Sequence, residues 1–200
     1  MPKAVLWDFG NVIVRWNPRT LYQKIFPNPV ECDRFLSEVC TLDWHTPTDC
    51  GVTFDENCAR LVAQHPHHEA EILAWRDRWD EMFSGAIAET EAAIEALHGA
   101  GVPQYGLSNI SHETFHSTVA MSPAFARLSG VVASGFEGVM KPDPAIFRLC
   151  CERFGHAPGD FLFVDDSVRN IEAARGLGFD VHHFSDPAAL KPALEARGLL

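Results

Sequence analysis

The chain has 200 residues, 46% of them hydrophobic and 22% charged, and its 14 Phe and 5 Trp need a core to enclose them. That length builds one domain of ordinary size, or one domain with a modest insertion, and the apolar content excludes a disordered chain. A formal charge of −11 removes the counterion-release drive for nucleic-acid binding and sets the chain against anionic membrane surfaces, so phosphate has to be held by a few placed cations and backbone donors.

The predicted elements begin with Ala4 to Trp7, an apolar run that reads as a buried strand ending at Asp8. Asn17-Pro18 and Asn28-Pro29 each offer an N-cap followed by proline at the first helical position. Val30, Phe35, Leu36 and Val39 then repeat at helical spacing, and Thr53-Phe54-Asp55-Glu56 has the capping-box form. Ile72, Trp75, Trp79 and Phe83 read as one further helical stripe, packing for a small bundle. From Glu89 the pattern alternates: a helix to Ala100, a strand from Val102 to Leu107, a helix near Ser111 to Val119, and a strand at Val131 to Ala133. Asp143-Pro144 opens a helix to Phe154, and Phe161 to Val164 is a buried strand ending at Asp165-Asp166. Ser167 is the expected cap of a helix to Leu177, Val181 to Phe184 is a last strand, and Asp186-Pro187 opens the final helix. Such alternation predicts an α/β, doubly wound parallel sheet. A helical cap is inserted after strand 1, giving a core of residues 1–15 and 86–200 and a cap of residues 16–85.

No run of the roughly 18 apolar residues that a membrane span needs occurs. Asp8 follows the N-terminus too closely for a secretory signal. The six cysteines, at 32, 40, 50, 58, 150 and 151, include no C-x-x-C pair, so reduced thiols and a cytoplasmic location are expected.

Ligands of open parallel sheets bind beyond the carboxyl ends of the strands. Asp8, Ser108-Asn109, more weakly Ser134, and Asp165-Asp166 stand at those ends, with Lys141 in a loop leading to a helix. Each alone is an ordinary turn or cap residue. Together, three carboxylates repel one another unless a cation neutralises them, and carboxylates, a backbone oxygen and water are the ligands that Mg²⁺ prefers.

Trp7-Asp8-Phe9-Gly10-Asn11-Val12-Ile13, Leu107-Ser108-Asn109, Lys141-Pro142-Asp143 and Phe163-Val164-Asp165-Asp166-Ser167-Val168-Arg169-Asn170 resemble, in order, the four motifs of the haloacid dehalogenase (HAD) superfamily. The match covers the whole expected core, and the insertion lies where that family carries a helical cap. The resemblance implies that Asp8 is a nucleophile forming an aspartyl-phosphate, with Mg²⁺ held by Asp8, the Gly10 carbonyl and Asp166. It further implies that Asp165 lies behind the metal, that Ser108 and Asn109 with nearby backbone N–H groups bind phosphate, and that Lys141 neutralises the Asp8–phosphate cluster. Asn170 is read either as support for the acidic loop or as an exposed helix residue. A carboxylate is ionised at neutral pH without help, and a covalent intermediate divides one hard displacement into two.

One position departs from the pattern. Two residues after Asp8, where family phosphatases carry a second aspartate as general acid/base, stands Gly10. Asp8-x-Gly-Asn resembles the branch containing α-glucose-1-phosphatase, which makes a sugar phosphate the expected substrate. With no motif residue to protonate the leaving group, efficiency should depend steeply on leaving-group pKa unless the cap, a metal-bound water or the substrate supplies the proton. Arg15, Trp16, Arg19 and Trp44 are read as either substrate-facing or hinge packing, His65-Pro66-His67-His68 as a solvated loop, and His45 and His112 as proton donors without positional support.

The resulting expectation is a Mg²⁺-dependent phosphatase acting on a small phosphorylated metabolite, with no nucleic-acid or membrane partner, working as a monomer or a homodimer. A metal-free 2-haloacid dehalogenase would suit Gly10 and leave Asp165-Asp166 without a purpose. A catalytically silent binding module would leave Asp8, Lys141 and Asp166 unexplained.

Overall fold

The computed structural model describes residues 1–200. Seven strands form: β1 (Ala4–Trp7), β2 (Val14–Trp16), β3 (Phe83–Ala86), β4 (Gln104–Ser108), β5 (Val131–Ala133), β6 (Phe161–Asp165) and β7 (Asp180–His183). Five of them make one parallel sheet in the order β5-β4-β1-β6-β7, with Trp7 in register with Gly106 on one side and Val164 on the other. From the central strand β1 the chain goes on to β4 and β5 on one side, then crosses back to β6 and β7 on the other. Asp8 therefore opens into the crevice where the winding reverses, the usual ligand position in such sheets.

Side-chain alternation explains why both faces are covered. Val5, Trp7, Leu162 and Val164 point to one face and pack with Ile94 and Leu97 of the helix Ala88–Gly99 and with Leu190 and Leu194 near the C-terminus. Ala4, Leu6, Phe161 and Phe163 point to the other and pack with Ile146 and Phe147 of the helix Pro144–Phe154 and with Ile171 and Ala174 of the helix Val168–Gly176. Strands buried on both faces read as continuous apolar runs, which is why β1 and β6 were visible in the sequence. Gln104 is the buried polar residue that joins the layers, accepting from Trp7 Nε1 at 3.1 Å and donating to the Ile94 carbonyl at 2.9 Å.

Between β2 and β3 the chain folds around a separate core that includes Leu21, Tyr22, Phe35, Phe54, Ile72 and Trp75. The helices Pro18–Ile25, Pro29–Glu38 and Phe54–Gln64 start where expected, each with its cap side chain bonded: Asn17 to Arg19 N, Asn28 to Val30 N, and Thr53 to Glu56 N. The aromatic stripe is not one helix. The helix Glu69–Asp77 stops, Trp79–Met82 tightens into a 3₁₀ turn, and Phe83 opens β3. The chain has to straighten there because β3 pairs antiparallel with β2, Trp16 opposite Phe83, and this ribbon carries it back to the sheet. The helix expected from Ser111 begins only at Phe115, since Ser111–Thr114 forms a turn with Ser111 Oγ accepting from Glu113 N. All six cysteines are free thiols, and no helix is long and apolar enough to cross a membrane.

Candidate active site

The site is built around a buried ammonium. Lys141 Nζ lies 2.8 Å from Asp8 Oδ1, 2.7 Å from Asp165 Oδ2 and 3.0 Å from the Leu107 carbonyl, with the side chain almost wholly enclosed. Three donor protons meet three oxygens, so the lysine is satisfied in place. Its pKa is raised, because the two carboxylates outweigh the burial that disfavours its charge. Asn109 fixes the lysine's backbone: its amide nitrogen donates to the Lys141 carbonyl at 2.9 Å and its oxygen accepts from Lys141 N at 2.8 Å. The expected phosphate-binding side chain is thus occupied, and Asn109 acts as a clamp on the lysine.

Asp8 continues β1, its N–H bonded to the Val164 carbonyl at 2.9 Å. Its Oδ1 accepts from Phe9 N at 2.7 Å as well as from Lys141, which orients the carboxylate at the cavity wall. Burial, opposed by Lys141 and reinforced by Asp165 and Asp166, pushes its pKa up to about 8.

The two adjacent aspartates part company. Asp165 is fully buried and takes donors from Lys141, from Ser167 N at 2.8 Å and from Asn170 Nδ2 at 3.1 Å. The caps are thereby exchanged relative to expectation: Ser167 makes no side-chain cap, and the Asp165 carboxylate receives the helix-start N–H. Asn170 is buried, not an exposed helix residue, and its Nδ2 donates to that carboxylate. Asp166 is half-buried, its pKa raised by burial and by Asp165, with a hydrogen bond from Asn11 opposing the shift. Asn11 adopts a left-handed conformation, φ 57°, which asparagine tolerates, and its Oδ1 accepts from Trp16 N at 3.1 Å, tying this turn to the ribbon.

Carboxylate oxygens of Asp8, Asp165 and Asp166 all lie within 4.8 Å of one another, the one such cluster of metal-ligating groups in the chain. With all three ionised, one ammonium would leave two negative charges uncompensated; burial together with that excess holds the Asp8 and Asp166 pKa values up, and two of the carboxylates face the cavity with Gly10 beside them. Hard oxygen donors with excess negative charge fit a Mg²⁺ ion.

These groups line one cavity of about 390 Å³. Ser108 faces it as expected, while the neighbouring Ile110 N–H is already bonded to Ser134 Oγ at 3.0 Å and is not free for phosphate. The cap segment contributes Trp16, Leu42, Trp79 and Phe83 to the wall together with the polar His45, Thr46 and Asp49. Arg19 pairs instead with Asp33, and Trp44 packs on Trp75 with its N–H on the Asn57 carbonyl; neither lines the cavity. Arg15 donates to the Ala86 carbonyl and borders an adjoining cleft. The three histidines at 65, 67 and 68 do not converge on a metal-binding geometry.

Two residues of the cap segment gain a place in the site that their local sequence does not announce. His45 enters the cavity wall but is held neutral, burial pushing its pKa down to about 3. Asp49 was not a candidate at all: it lies in a short 3₁₀ segment, Thr46–Cys50, whose polar sequence looks like any surface turn.

A doubly wound sheet that gathers a lysine and three carboxylates at the end of its central strand defines a class of hydrolase with a candidate aspartate nucleophile. The chain belongs to the haloacid dehalogenase-like hydrolases, whose family model matches residues 2–178. It is 25% identical over 201 residues to a sesquiterpene phosphatase of Aspergillus oryzae, covering 99% of this chain and 96% of that one. It is also 26% identical over 124 residues to an (S)-2-haloacid dehalogenase of Burkholderia cepacia, covering 61% of this chain and 54% of that enzyme. In three dimensions it resembles a HAD family enzyme of Bacteroides thetaiotaomicron crystallised with magnesium and inorganic phosphate, with TM-score 0.70, 20% identity, and 95% and 99% of the two chains covered.

Proposed function

We propose that the protein is a Mg²⁺-dependent phosphatase that cleaves a small phosphorylated metabolite through an aspartyl-phosphate on Asp8. The observation that carries this is the charge balance of the pocket. Lys141 touches both Asp8 and Asp165 but its single charge offsets only one of them, so with Asp166 beside them the ionised cluster carries more negative charge than the chain's own cation can balance. A haloacid dehalogenase, releasing halide without a metal, has no use for that extra charge.

Asp8, Asp166 and the Gly10 carbonyl would hold the metal. Bound there, Mg²⁺ would screen the phosphate from the carboxylates and stabilise charge on the transferring phosphoryl group. The chain's own residues supply the rest. Lys141 draws charge from Asp8 and holds its carboxylate in one orientation, while Ser108 Oγ offers a hydrogen bond to a phosphate oxygen. Asp165 and Asn109 keep the lysine from moving, one at its head and one at its backbone.

The organic part of the substrate faces Trp16, Leu42, Trp79, Phe83 and Ile110. That apolar stretch suits an apolar alcohol, while a sugar of the kind expected from the Asp8-x-Gly-Asn motif would have to find its polar partners among Asn11, Thr46 and Thr118. The whole-length likeness to a sesquiterpene phosphatase supports the same reading. The test is release of inorganic phosphate from farnesyl phosphate, a hexose phosphate and an aryl phosphate, each with Mg²⁺ and with EDTA, beside halide release from 2-chloropropionate. Phosphate release that requires Mg²⁺ and favours the prenyl ester is expected. Halide release that persists in EDTA would refute the proposal.

A further inference from the structure

The phosphatase reading leaves one chemical gap. An alkoxide leaving group needs a proton, and Gly10 stands where the donor would be expected. The cavity roof supplies a carboxyl group. Asp49 lines the same cavity as Asp8, Ser108 and Lys141, with its side chain only 13% exposed. Its position is fixed from the core side. The Ser111 N–H bonds to its carboxylate, Gly51 approaches so closely that an added Cβ would lie 3.2 Å from the Gly135 carbonyl, and Phe54 N donates to Glu113 Oε2 at 2.6 Å. A roof pinned at three points holds Asp49 over the site.

Its neighbour shows where the proton resides. Thr48 Oγ1 donates its single proton to the His45 carbonyl at 2.8 Å, so the 3.1 Å contact between Thr48 Oγ1 and His45 Nδ1 has the imidazole as donor. A neutral ring protonated at Nδ1 presents a bare Nε2, and that atom lies 3.5 Å from Asp49 Oδ1. A bare nitrogen beside a carboxyl oxygen favours the protonated acid. Burial acts in the same direction and outweighs both Lys141 and the Ser111 N–H, which favour the carboxylate, pushing Asp49 up to about 7.

We propose that Asp49 is the general acid and base of this enzyme, with His45 as the positioning residue that keeps it protonated between turnovers; this rests on the phosphatase reading. In the first half-reaction an Asp8 oxygen forms a bond to phosphorus, the ester P–O bond breaks, and the departing oxygen takes the Asp49 proton to leave as the alcohol. In the second, Asp49 as carboxylate removes a proton from water while the water oxygen attacks phosphorus. Inorganic phosphate leaves, and both Asp8 carboxylate and Asp49 carboxylic acid are restored.

The experiment is kcat/KM for phosphate esters whose leaving groups run from nitrophenol to a primary alcohol, measured on the wild type, Asp49→Asn and Asp49→Ala with Mg²⁺ present. This constant reports transfer to Asp8 and the proton that accompanies it. The wild type should show a shallow dependence on leaving-group pKa. Both variants should steepen it, losing about 10²–10⁴-fold on the alkyl ester and progressively less as the leaving group becomes more acidic. A steep slope in the wild type overturns the proposal without any variant. A loss of equal size on every ester, the sign of a structural role, overturns it as well. A wild type that hydrolyses no ester at all overturns the phosphatase reading itself.

Discussion

Asp165 and Asp166 are neighbours in sequence, and truncating each should damage a different property. Asp165→Ala removes the acceptor of Lys141 Nζ at 2.7 Å, Ser167 N at 2.8 Å and Asn170 Nδ2 at 3.1 Å from a fully buried position. Breaking a buried ion pair from one side costs about 3–5 kcal/mol. Lys141 keeps Asp8 and the Leu107 carbonyl, which places the expected loss near the lower end. At about 2–4 °C per kcal/mol for a chain of this size, the melting temperature should fall by roughly 6–16 °C. Asp166 is half-buried, its only hydrogen bond from a side chain comes from Asn11, and its removal relieves repulsion with Asp165. Asp166→Ala should therefore cost no more than about 1 kcal/mol, or roughly 2–4 °C. The order reverses for the metal. Losing a supporting carboxylate typically weakens metal binding about 10–100-fold, and losing a direct ligand should weaken it more. Thermal melts without Mg²⁺, followed by Mg²⁺ titrations of phosphate release, read the two effects separately. Equal melting temperatures, or Asp165→Ala needing more Mg²⁺ than Asp166→Ala, would refute the division of roles.

Asp8→Asn should abolish phosphate release while the protein stays folded, since an amide is a poor nucleophile and Lys141 retains Asp165; a circular dichroism melt and a phosphate assay check both halves. His45 sits among Trp16, Trp75, Trp79 and Phe54, with Asp49 the one acid within ion-pair distance. Its folded pKa, about 3, lies below the unfolded value of 6.5, so the unfolded state takes up a proton first and stability falls as pH drops from 6.5 towards 3. Relative to His45→Gln, the wild type should lose about 1.4 kcal/mol per pH unit in that window, measured by urea unfolding at several pH values; parallel curves would show that the histidine does not titrate this way. Gly135→Ala would place a Cβ 2.4 Å from His112 N and 2.6 Å from the Ile110 carbonyl, so the Ile110–His112 loop must shift, with an expected cost of about 1–3 kcal/mol in a thermal melt and a loss of turnover. Trp16→Ala should lower kcat/KM for a prenyl phosphate by roughly 10–200-fold and affect a hexose phosphate less; equal losses would remove Trp16 from the substrate wall.

What the sequence alone determined is everything that is settled within a few residues. The caps at Asn17, Asn28, Thr53, Asp143 and Asp186 all bond a backbone N–H two or three residues on. The apolar runs of β1 and β6 are buried throughout, and the polar residues that follow them fall at one sheet edge because all five strands are parallel. Tertiary structure decided what depends on partners far along the chain. Asn109 meets Lys141 across 32 residues and Lys141 meets Asp165 across 24, so no spacing could show that one was a clamp and the other the lysine's counter-ion. The ribbon of β2 and β3 joins segments about 70 residues apart with only three or four residues each, too few to leave a period. Asp49 is the extreme case: its turn has the composition of an exposed loop, and contacts distant in sequence, Gly51 with Gly135 and Phe54 N with Glu113, dock that turn at the cavity. Backbone satisfaction is local and leaves a signature in adjacent residues, whereas the pairing of buried charges follows from which strand ends the topology brings together.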